Sequence, residues 1–270
     1  YHTLYFESDW GGELEPWQER INTALLTEAR KADIRIAISP WLHRVLKEKY
    51  DIDTVVIPNG VRVAKCQAAR PERFLKETGL AGGFVLFVGS IAAVKNPLMF
   101  VDLAVSMPEH VFVMIGQGLE RESLSASFGR CLPRNLYTLG PMTHESTLNA
   151  MSACSIFVMT SHSEGLPTAL MEAMALGKAP VATDSYGCRD VIGNAESGIL
   201  FTSGDLDALR EAVREALEDR GLGRRAMQRI RSLFDWQVIM PQLDSIYAGA
   251  GMNVFTKPAV PEEGARSGVE

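Results

Sequence analysis

From Phe84 onward, short apolar runs rich in β-branched and aromatic residues alternate with longer stretches of helical periodicity. This alternation predicts a parallel sheet wrapped by helices. Because apolar residues fill each run almost continuously, both faces of the sheet should be buried. We therefore predict an α/β fold with parallel sheets. The predicted strands are residues 84–88, 111–115, 136–139, 156–159, 180–182 and 198–201. The predicted helices are residues 98–105, 145–153, 167–176 and 205–218, the last capped by Asp205.

A smaller block of α/β character precedes this region. Its predicted helices are residues 17–30 and 40–49, and its predicted strands are residues 4–6, 34–38 and 54–57. Pro58-Asn59-Gly60 and the polar stretch up to Arg70 then predict a linker between two domains. The roughly 60 residues before this linker are about half of a small domain, and the chain opens on Tyr1 rather than on Met. We expect residues 1–60 to be the remnant of a domain that is incomplete at its N-terminus.

The composition argues against several classes of protein. Of the 270 residues, 46% are hydrophobic and 22% are charged, which is enough apolar material for one large or two small cores. The formal net charge of -6 disfavours a nucleic-acid partner, because nucleic-acid binding depends on clustered Lys and Arg. The apolar runs are much shorter than the roughly 20 residues needed to cross a bilayer. Neither a zinc site nor a disulfide framework is indicated, and a reducing compartment is expected, because no C-x-x-C pair occurs among Cys66, Cys131, Cys154 and Cys188.

The loop after the strand at residues 84–88 has the features of an anion site. Gly89 and Ser90 end the strand, and Lys95 stands two residues before a proline that suits the first turn of a helix. Helix N-termini favour phosphates, and ligands of open α/β sheets bind beyond the carboxyl ends of the strands. Taken alone, Lys95 is more simply interpreted as a solvated loop lysine. Gly116 and Gly118 follow the next strand and would let a ligand approach the backbone, although a G-x-G is also common in tight turns.

Two glutamates lie in the segment that follows the strand at residues 156–159. Glu164 stands in the loop, and Glu172 stands five residues beyond Pro167, about 7.5 Å along a helix axis. They would therefore touch different parts of one elongated ligand. Carboxylates accept hydrogen bonds well from a vicinal diol, as in a sugar or ribose, while the N–H groups of Gly165 and Leu166 would face phosphates or the sugar. Merely solvated glutamates would leave the apolar surroundings of Glu172 unexplained.

Five motifs occur in a fixed order along the chain. They are Val56-Ile57-Pro58-Asn59-Gly60-Val61, the loop from Gly89 to Lys95, Gly116-Gln117-Gly118, Glu164 and Glu172 with Ala173-Met174-Ala175-Leu176-Gly177, and Phe234-Asp235-Trp236. This order resembles the retaining glycosyltransferases of the GT-B fold that are often called group 1 glycosyltransferases. The resemblance covers residues 32–247, and the glutamate pair is its most specific part.

The resemblance implies transfer of a hexosyl group from a nucleotide-diphosphate sugar with retention of configuration, without a metal ion or other cofactor. It implies that Lys95 binds the diphosphate, that Glu164 lies by the donor sugar and that Glu172 holds the ribose. The family usually has an arginine where this chain has Ser90, so one of two diphosphate cations is missing. Lys95 and Glu164 are the catalytic candidates. The donor-binding candidates are Gly89, Ser90, Lys95, Gly116, Gly118, Glu164, Gly165, Leu166 and Glu172.

The resemblance also implies two Rossmann-like domains with parallel sheets. Residues 1–60 would belong to an acceptor-side domain, residues 61–235 to a nucleotide-sugar-binding domain, and residues 236–247 to a helix returning to the first domain. Residues 248–270, rich in Gly, Pro and charge, are expected to be a flexible tail. The expected partners are a nucleotide-diphosphate sugar and a glycan, lipid-linked or small-molecule acceptor, with no nucleic acid. We expect a cytoplasmic protein, with any contact to the inner face of a membrane made peripherally through the missing domain.

Other interpretations stay open. A fragment or degenerate homologue that binds a nucleotide sugar without transferring it would suit Ser90 and the short first domain, and a sugar phosphorylase or a nucleotide-sugar epimerase would share the fold. Asp51-Ile52-Asp53 matches the D-x-D that binds metals in other glycosyltransferases. It precedes its strand, whereas ligand sites follow strand ends, so we interpret it as a surface turn. His144 is interpreted as a loop residue.

Overall fold

A computed structural model describes Leu4 and residues 13–249. The strand predicted at residues 4–6 and the tail beyond residue 249 lie outside the described residues, apart from Leu4. The first unit contains α1 (Pro16–Lys31), β1 (Ile36–Ala37), α2 (Pro40–Tyr50) and β2 (Val55–Val56). Its two strands pair in parallel, Ile36 with Val55 and Ala37 with Val56. This unit therefore has the α/β character that was predicted, with strands shorter than expected.

The sequence around α2 explains where this helix begins and ends. Ser39 caps it by accepting a hydrogen bond from the Leu42 N–H at 3.2 Å, and a proline occupies its first turn. The helix ends at Tyr50, and the next residue, Asp51, adopts a left-handed conformation with φ of 50°. Lys47 Nζ lies 3.2 Å from the Asp51 carboxylate and 2.9 Å from that of Asp53. Because both carboxylates are largely exposed, the interpretation of the D-x-D as a surface turn is confirmed.

The second unit is built on a six-stranded parallel sheet. Its strands lie within one residue, at either end, of those predicted from the sequence, and the α/β fold with parallel sheets is confirmed. They are β3 (Val85–Val88), β4 (Phe112–Ile115), β5 (Leu136–Thr138), β6 (Ile156–Met159), β7 (Ala179–Thr183) and β8 (Ile199–Phe201). Their spatial order is β5-β4-β3-β6-β7-β8.

Helices cover both faces of this sheet. The predicted Asp205 cap of α10 is confirmed, because the Asp205 carboxylate accepts a hydrogen bond from the Ala208 N–H at 2.9 Å. The stretch predicted as a polar linker is partly wrong, since it contains α3, whose Val63 and Cys66 are buried. The helices are α3 (Val63–Gln67), α4 (Pro71–Thr78), α5 (Pro97–Ser106), α6 (Arg121–Phe128), α7 (His144–Ala153), α8 (Thr168–Ala175), α9 (Tyr186–Ile192), α10 (Leu206–Glu218) and α11 (Leu222–Leu233). They are followed by α12 (Trp236–Gly249), which extends two residues into the stretch predicted to be a tail.

Alternate residues of the central strands enter two separate hydrophobic cores. Leu86 and Phe157 belong to the core on one face of the sheet, whereas Val85 and Ile156 belong to the core on the other. All four side chains are almost completely buried. The continuous apolar runs are therefore explained by a sheet that is covered on both faces, as predicted.

The strand order reverses at one point of the sheet, and we call the space between the loops that follow the two strands there the crevice. Chain connections run outward from β3 to β4 and β5 on one side, and from β6 to β7 and β8 on the other. In open α/β sheets, ligands bind beyond the carboxyl ends of the strands at the point where the order reverses. Here this point lies between β3 and β6, so the loops after these two strands form its walls.

The segment that joins the two units is fixed to the end of the second unit, and the units also touch directly through an aromatic pair. The Val61 N–H donates to the Phe234 carbonyl at 2.8 Å, and the Trp236 N–H donates to the Val61 carbonyl at 3.1 Å. Residue 60 is a glycine for a steric reason, because a Cβ there would lie 2.8 Å from the Trp236 ring. Trp41 of α2 stacks on Tyr186 of α9 with the ring centroids 4.7 Å apart. Within the described part of the chain, no helix combines the length and apolarity that crossing a membrane requires.

Candidate functional site

The loops after β3 and β6 are joined by hydrogen bonds across the crevice. Thr160 Oγ1, directly after β6, lies 2.9 Å from the carbonyl oxygens of both Lys95 and Asn96 and donates to them. The His162 N–H donates to the Val94 carbonyl at 2.8 Å. Asn96 has a φ of 46°, a left-handed conformation that turns the chain sharply before α5. These contacts fix the loop that carries Lys95 against the loop that follows β6. Thr160 was not among the residues predicted from the sequence.

Lys95 and Glu164 form an ion pair in this crevice. Lys95 Nζ donates to Glu164 Oε1 at 2.6 Å, and the side chains are 33% and 12% exposed, respectively. Lys95 is therefore more than the solvated loop lysine that it would suggest when taken alone. The lysine predicted to bind a diphosphate and the glutamate predicted to lie by a sugar thus meet at the switch point of the sheet. The two side chains are close enough for a single ligand at this point to contact both.

The G-x-G after β4 serves the packing of the loops. Gly116 has a φ of 148°, and a Cβ there would lie 1.5 Å from the Gly89 carbonyl oxygen. Gly118 has a φ of 76°, and its Cβ would lie 2.7 Å from the Ile91 side chain. Both glycines therefore let the β4 loop pack against the β3 loop. The two glycines are therefore explained by the packing of these loops, independently of any ligand.

A third glycine, which was not predicted from the sequence, lies in close contact with the backbone of Glu164. A Cβ on Gly187, near the start of α9, would lie 2.3 Å from the Glu164 carbonyl oxygen. The backbone of α9 thus packs directly against the loop that carries Glu164. The same loop continues through the exposed Gly165 and the buried Leu166 to α8, which begins at Thr168. The N-terminus of α8 and its positive dipole end therefore lie next to Glu164.

Glu172 lies in the second turn of α8 and is paired with a histidine. Its Oε1 lies 2.7 Å from His144 Nε2, and the Glu172 side chain is 13% exposed. His144 is the first residue of α7, so its interpretation as a loop residue was wrong. Thr143 caps this helix by accepting a hydrogen bond from the Ser146 N–H. His144 Nδ1 in turn lies 3.4 Å from Lys65 Nζ of α3.

The cysteines near this site are inert thiols. Burial raises the pKa of Cys188, behind the Lys95–Glu164 pair, to about 12. Burial, reinforced by the negative charge of Glu172, raises the pKa of Cys66 to about 11. A nucleophilic cysteine would need a lowered pKa, so neither residue suits covalent catalysis. All four cysteines are free. Among Leu4 and residues 13–249, no three His, Cys, Asp or Glu side chains come together as a metal site would require.

The fold and the crevice define an α/β protein with one complete Rossmann-like unit whose charged side chains converge at the switch point. Residues 73–232, more than half of the chain, match the family of group 1 glycosyl transferases. The chain belongs to this family, and its fold resembles that of GT-B glycosyltransferases.

Two relatives illustrate the match. The chain is 30% identical over 234 residues to a phosphatidyl-myo-inositol mannosyltransferase of Mycolicibacterium smegmatis, covering 82% of this chain and 59% of the relative. It is also 30% identical over 179 residues to UDP-Gal:alpha-D-GlcNAc-diphosphoundecaprenol alpha-1,3-galactosyltransferase of Escherichia coli, covering 62% of this chain and 46% of the relative. The chain thus spans only about half of the length of these relatives.

Solved structures show the same fold. A sucrose-phosphate synthase of Thermosynechococcus elongatus superposes with a TM-score of 0.79 at 23% identity, covering 93% of this chain and 67% of that protein. The Anabaena protein Alr3699/HepE, in complex with UDP and glucose, superposes with a TM-score of 0.74 at 20% identity, covering 87% of this chain and 68% of that protein.

Proposed function

We propose that this chain is the donor-binding part of a glycosyltransferase that moves a hexosyl group from a nucleotide-diphosphate sugar to an acceptor. The observation that carries the proposal is the Lys95–Glu164 pair at the switch point, followed by Glu172 one turn into α8. A cation, a loop carboxylate and a second carboxylate in a helix match the diphosphate, the sugar and the ribose of such a donor. Support also comes from the E. coli relative, whose name includes UDP-Gal, and from the UDP and glucose in the Anabaena complex.

Lys95 supplies positive charge where cleavage of the sugar–phosphate bond leaves negative charge. As the bond breaks, the departing diphosphate gains charge, and an ammonium group beside it stabilises the transition state more strongly than the ground state. The N-terminus of α8, next to Glu164, adds the positive end of a helix dipole. We propose that these groups neutralise the diphosphate without a metal ion.

The reaction outcome and the acceptor are parts of the same proposal. We propose retention of configuration, which rests on the resemblance to retaining enzymes and is checked by the anomeric configuration of the product. A lipid-linked acceptor at the cytoplasmic face of a membrane is the class we favour. This choice rests on the phosphatidyl-myo-inositol and diphosphoundecaprenol in the names of two relatives. Formation of a glycosylated product would argue against an epimerase, and turnover without inorganic phosphate would argue against a phosphorylase.

Binding of a nucleoside diphosphate is expected to survive complete removal of divalent metal. Calorimetric titration of the 270-residue chain with UDP, GDP and ADP in excess chelator, and again with magnesium, measures this directly. Equal affinities in the two buffers are expected because Lys95 rather than a metal ion faces the diphosphate. Binding that disappears in chelator and returns with magnesium would contradict the metal-free proposal, and no binding in either buffer would contradict the donor site itself.

A second candidate function is nucleotide-sugar binding without transfer, and Ser90 is the observation that favours it. Ser90 is half-buried at the end of β3, where the family usually has a second diphosphate cation. Ser90→Arg is expected to tighten nucleoside diphosphate binding by up to about 10-fold, because partial solvent exposure limits a charge-assisted hydrogen bond. Calorimetry measures the change, with Ser90→Gln as an uncharged control of similar length. Unchanged or weaker affinity for the arginine variant would mean that another group already fills this role.

A further inference from the structure

Glu172 is held by a histidine from a second helix, and that histidine contacts a lysine from a third. Its Oε1 meets His144 Nε2 of α7 at 2.7 Å, and His144 Nδ1 faces Lys65 Nζ of α3 at 3.4 Å. Glu172 is nearly buried, whereas the His144 side chain is 50% exposed. The three residues come from three helices that are separated in the sequence.

The chemistry of these groups sets the direction of the hydrogen bonds. A lysine ammonium group only donates, so His144 Nδ1 must accept from Lys65. In a neutral imidazole the other nitrogen then carries the proton, and His144 Nε2 donates to Glu172. This arrangement leaves Glu172 Oε2 and the remaining lone pair of Oε1 for other donors. A carboxylate fixed in this way can accept two hydrogen bonds from neighbouring hydroxyl groups without first losing rotamer freedom.

We propose that His144 is a positioning residue that orients the Glu172 carboxylate toward the ribose diol of the bound nucleotide. This inference rests on the proposed function, because it assigns Glu172 to the ribose. His144 itself does not touch the ligand in this arrangement. A substitution of His144 should therefore lower affinity only for ligands that carry the ribose hydroxyls. A general effect on folding would lower affinity for all ligands.

The test compares ligands with and without these hydroxyls. UDP, GDP and ADP are titrated into the 270-residue chain by calorimetry, and the tightest binder is then compared with its 2′,3′-dideoxy counterpart. His144→Ala is expected to weaken the ribose nucleotide roughly 2-fold to 10-fold and to leave the dideoxy nucleotide unchanged. His144→Gln should restore most of the affinity, because a glutamine amide can donate near the position of Nε2. His144→Asn, whose amide is too short to reach there, should not.

Two further variants separate this inference from the proposed function. In a Glu172→Ala background, His144→Ala is expected to cause no additional loss, since the carboxylate that it orients is gone. If Glu172→Ala itself leaves the ratio of ribose to dideoxy affinities unchanged, or if none of the three nucleotides binds, the ribose site fails and this inference fails with it. If Glu172→Ala lowers the ratio but His144→Ala does not, only the positioning role is overturned. Equal losses for both ligands in His144→Ala, or a failure of His144→Gln to rescue a correctly melting variant, would also overturn it.

Discussion

Replacing Lys95 by methionine is expected to weaken binding of a nucleoside diphosphate roughly 10-fold to 150-fold, because a charged hydrogen bond contributes about 1.5 to 3 kcal/mol. Methionine keeps most of the apolar stem of the lysine and removes its ammonium group, with both the charge and the N–H donors. The nucleotide sugar should lose affinity to a similar extent, since both ligands carry the diphosphate. Calorimetry with each ligand measures both changes.

The ion pair complicates this experiment in a way that can be controlled. Lys95→Met leaves Glu164, which is only 12% exposed, without its partner, so the variant is also expected to melt at a lower temperature. The double variant Lys95→Met/Glu164→Gln removes both charges and should recover much of this stability without recovering affinity. Lys49→Met, on an exposed position of α2, makes the same change in net charge away from the crevice. If Lys95→Met binds as the Lys49 variant does, the lysine is a structural ion-pair partner and not a diphosphate ligand.

The main sheet was predictable because each strand is long enough and apolar enough to show its burial in the sequence. Residues 156–159, for example, are four consecutive apolar residues that lie between two cores, and the predicted bounds are those observed. The short helices were not predictable in the same way. In α9, only seven residues long, Gly187 is required by the loop above it, and this requirement arises from a contact between residues distant in the sequence.

The residues of the candidate site were predicted individually, but their contacts were not. Lys95 and Glu164 were placed in the loops after β3 and β6 because ligand sites follow strand ends. That these two side chains pair depends on the strand order, which brings β3 and β6 side by side, and on Thr160, which joins their loops. A threonine after a strand and a histidine at the start of a helix carry no distinctive pattern. Thr160 and His144 therefore became visible only in the folded chain.

The two glutamates are expected to separate the sugar from the nucleotide in a set of four measurements. Glu172→Ala should weaken both the nucleoside diphosphate and the nucleotide sugar roughly 10-fold to 150-fold, because both ligands carry the ribose whose diol it is proposed to hold. Glu164→Gln should weaken the nucleotide sugar relative to the bare nucleotide, because only the sugar meets this carboxylate. Isothermal titration of both variants with both ligands gives the four affinities, and thermal melts confirm that each variant is folded.

The Lys95–Glu164 ion pair leads us to expect that Glu164→Gln changes the affinity for the bare nucleoside diphosphate as well. Lys95 is held by Glu164 in the structure, and a diphosphate must displace that contact before the ammonium group can face it. Removing the carboxylate's charge frees Lys95, so Glu164→Gln is expected to tighten the bare nucleoside diphosphate roughly 1.5-fold to 5-fold, the equivalent of a partly exposed ion pair of about 0.2 to 1 kcal/mol. The same substitution thus raises the affinity for the bare nucleotide and lowers the ratio of nucleotide-sugar affinity to bare-nucleotide affinity, which a loss of folding cannot do. Equal losses for both ligands in both variants would show that the assigned division between sugar and ribose is wrong. A weaker bare nucleotide in Glu164→Gln alone would show that Glu164 orients Lys95 for the diphosphate instead of competing with it.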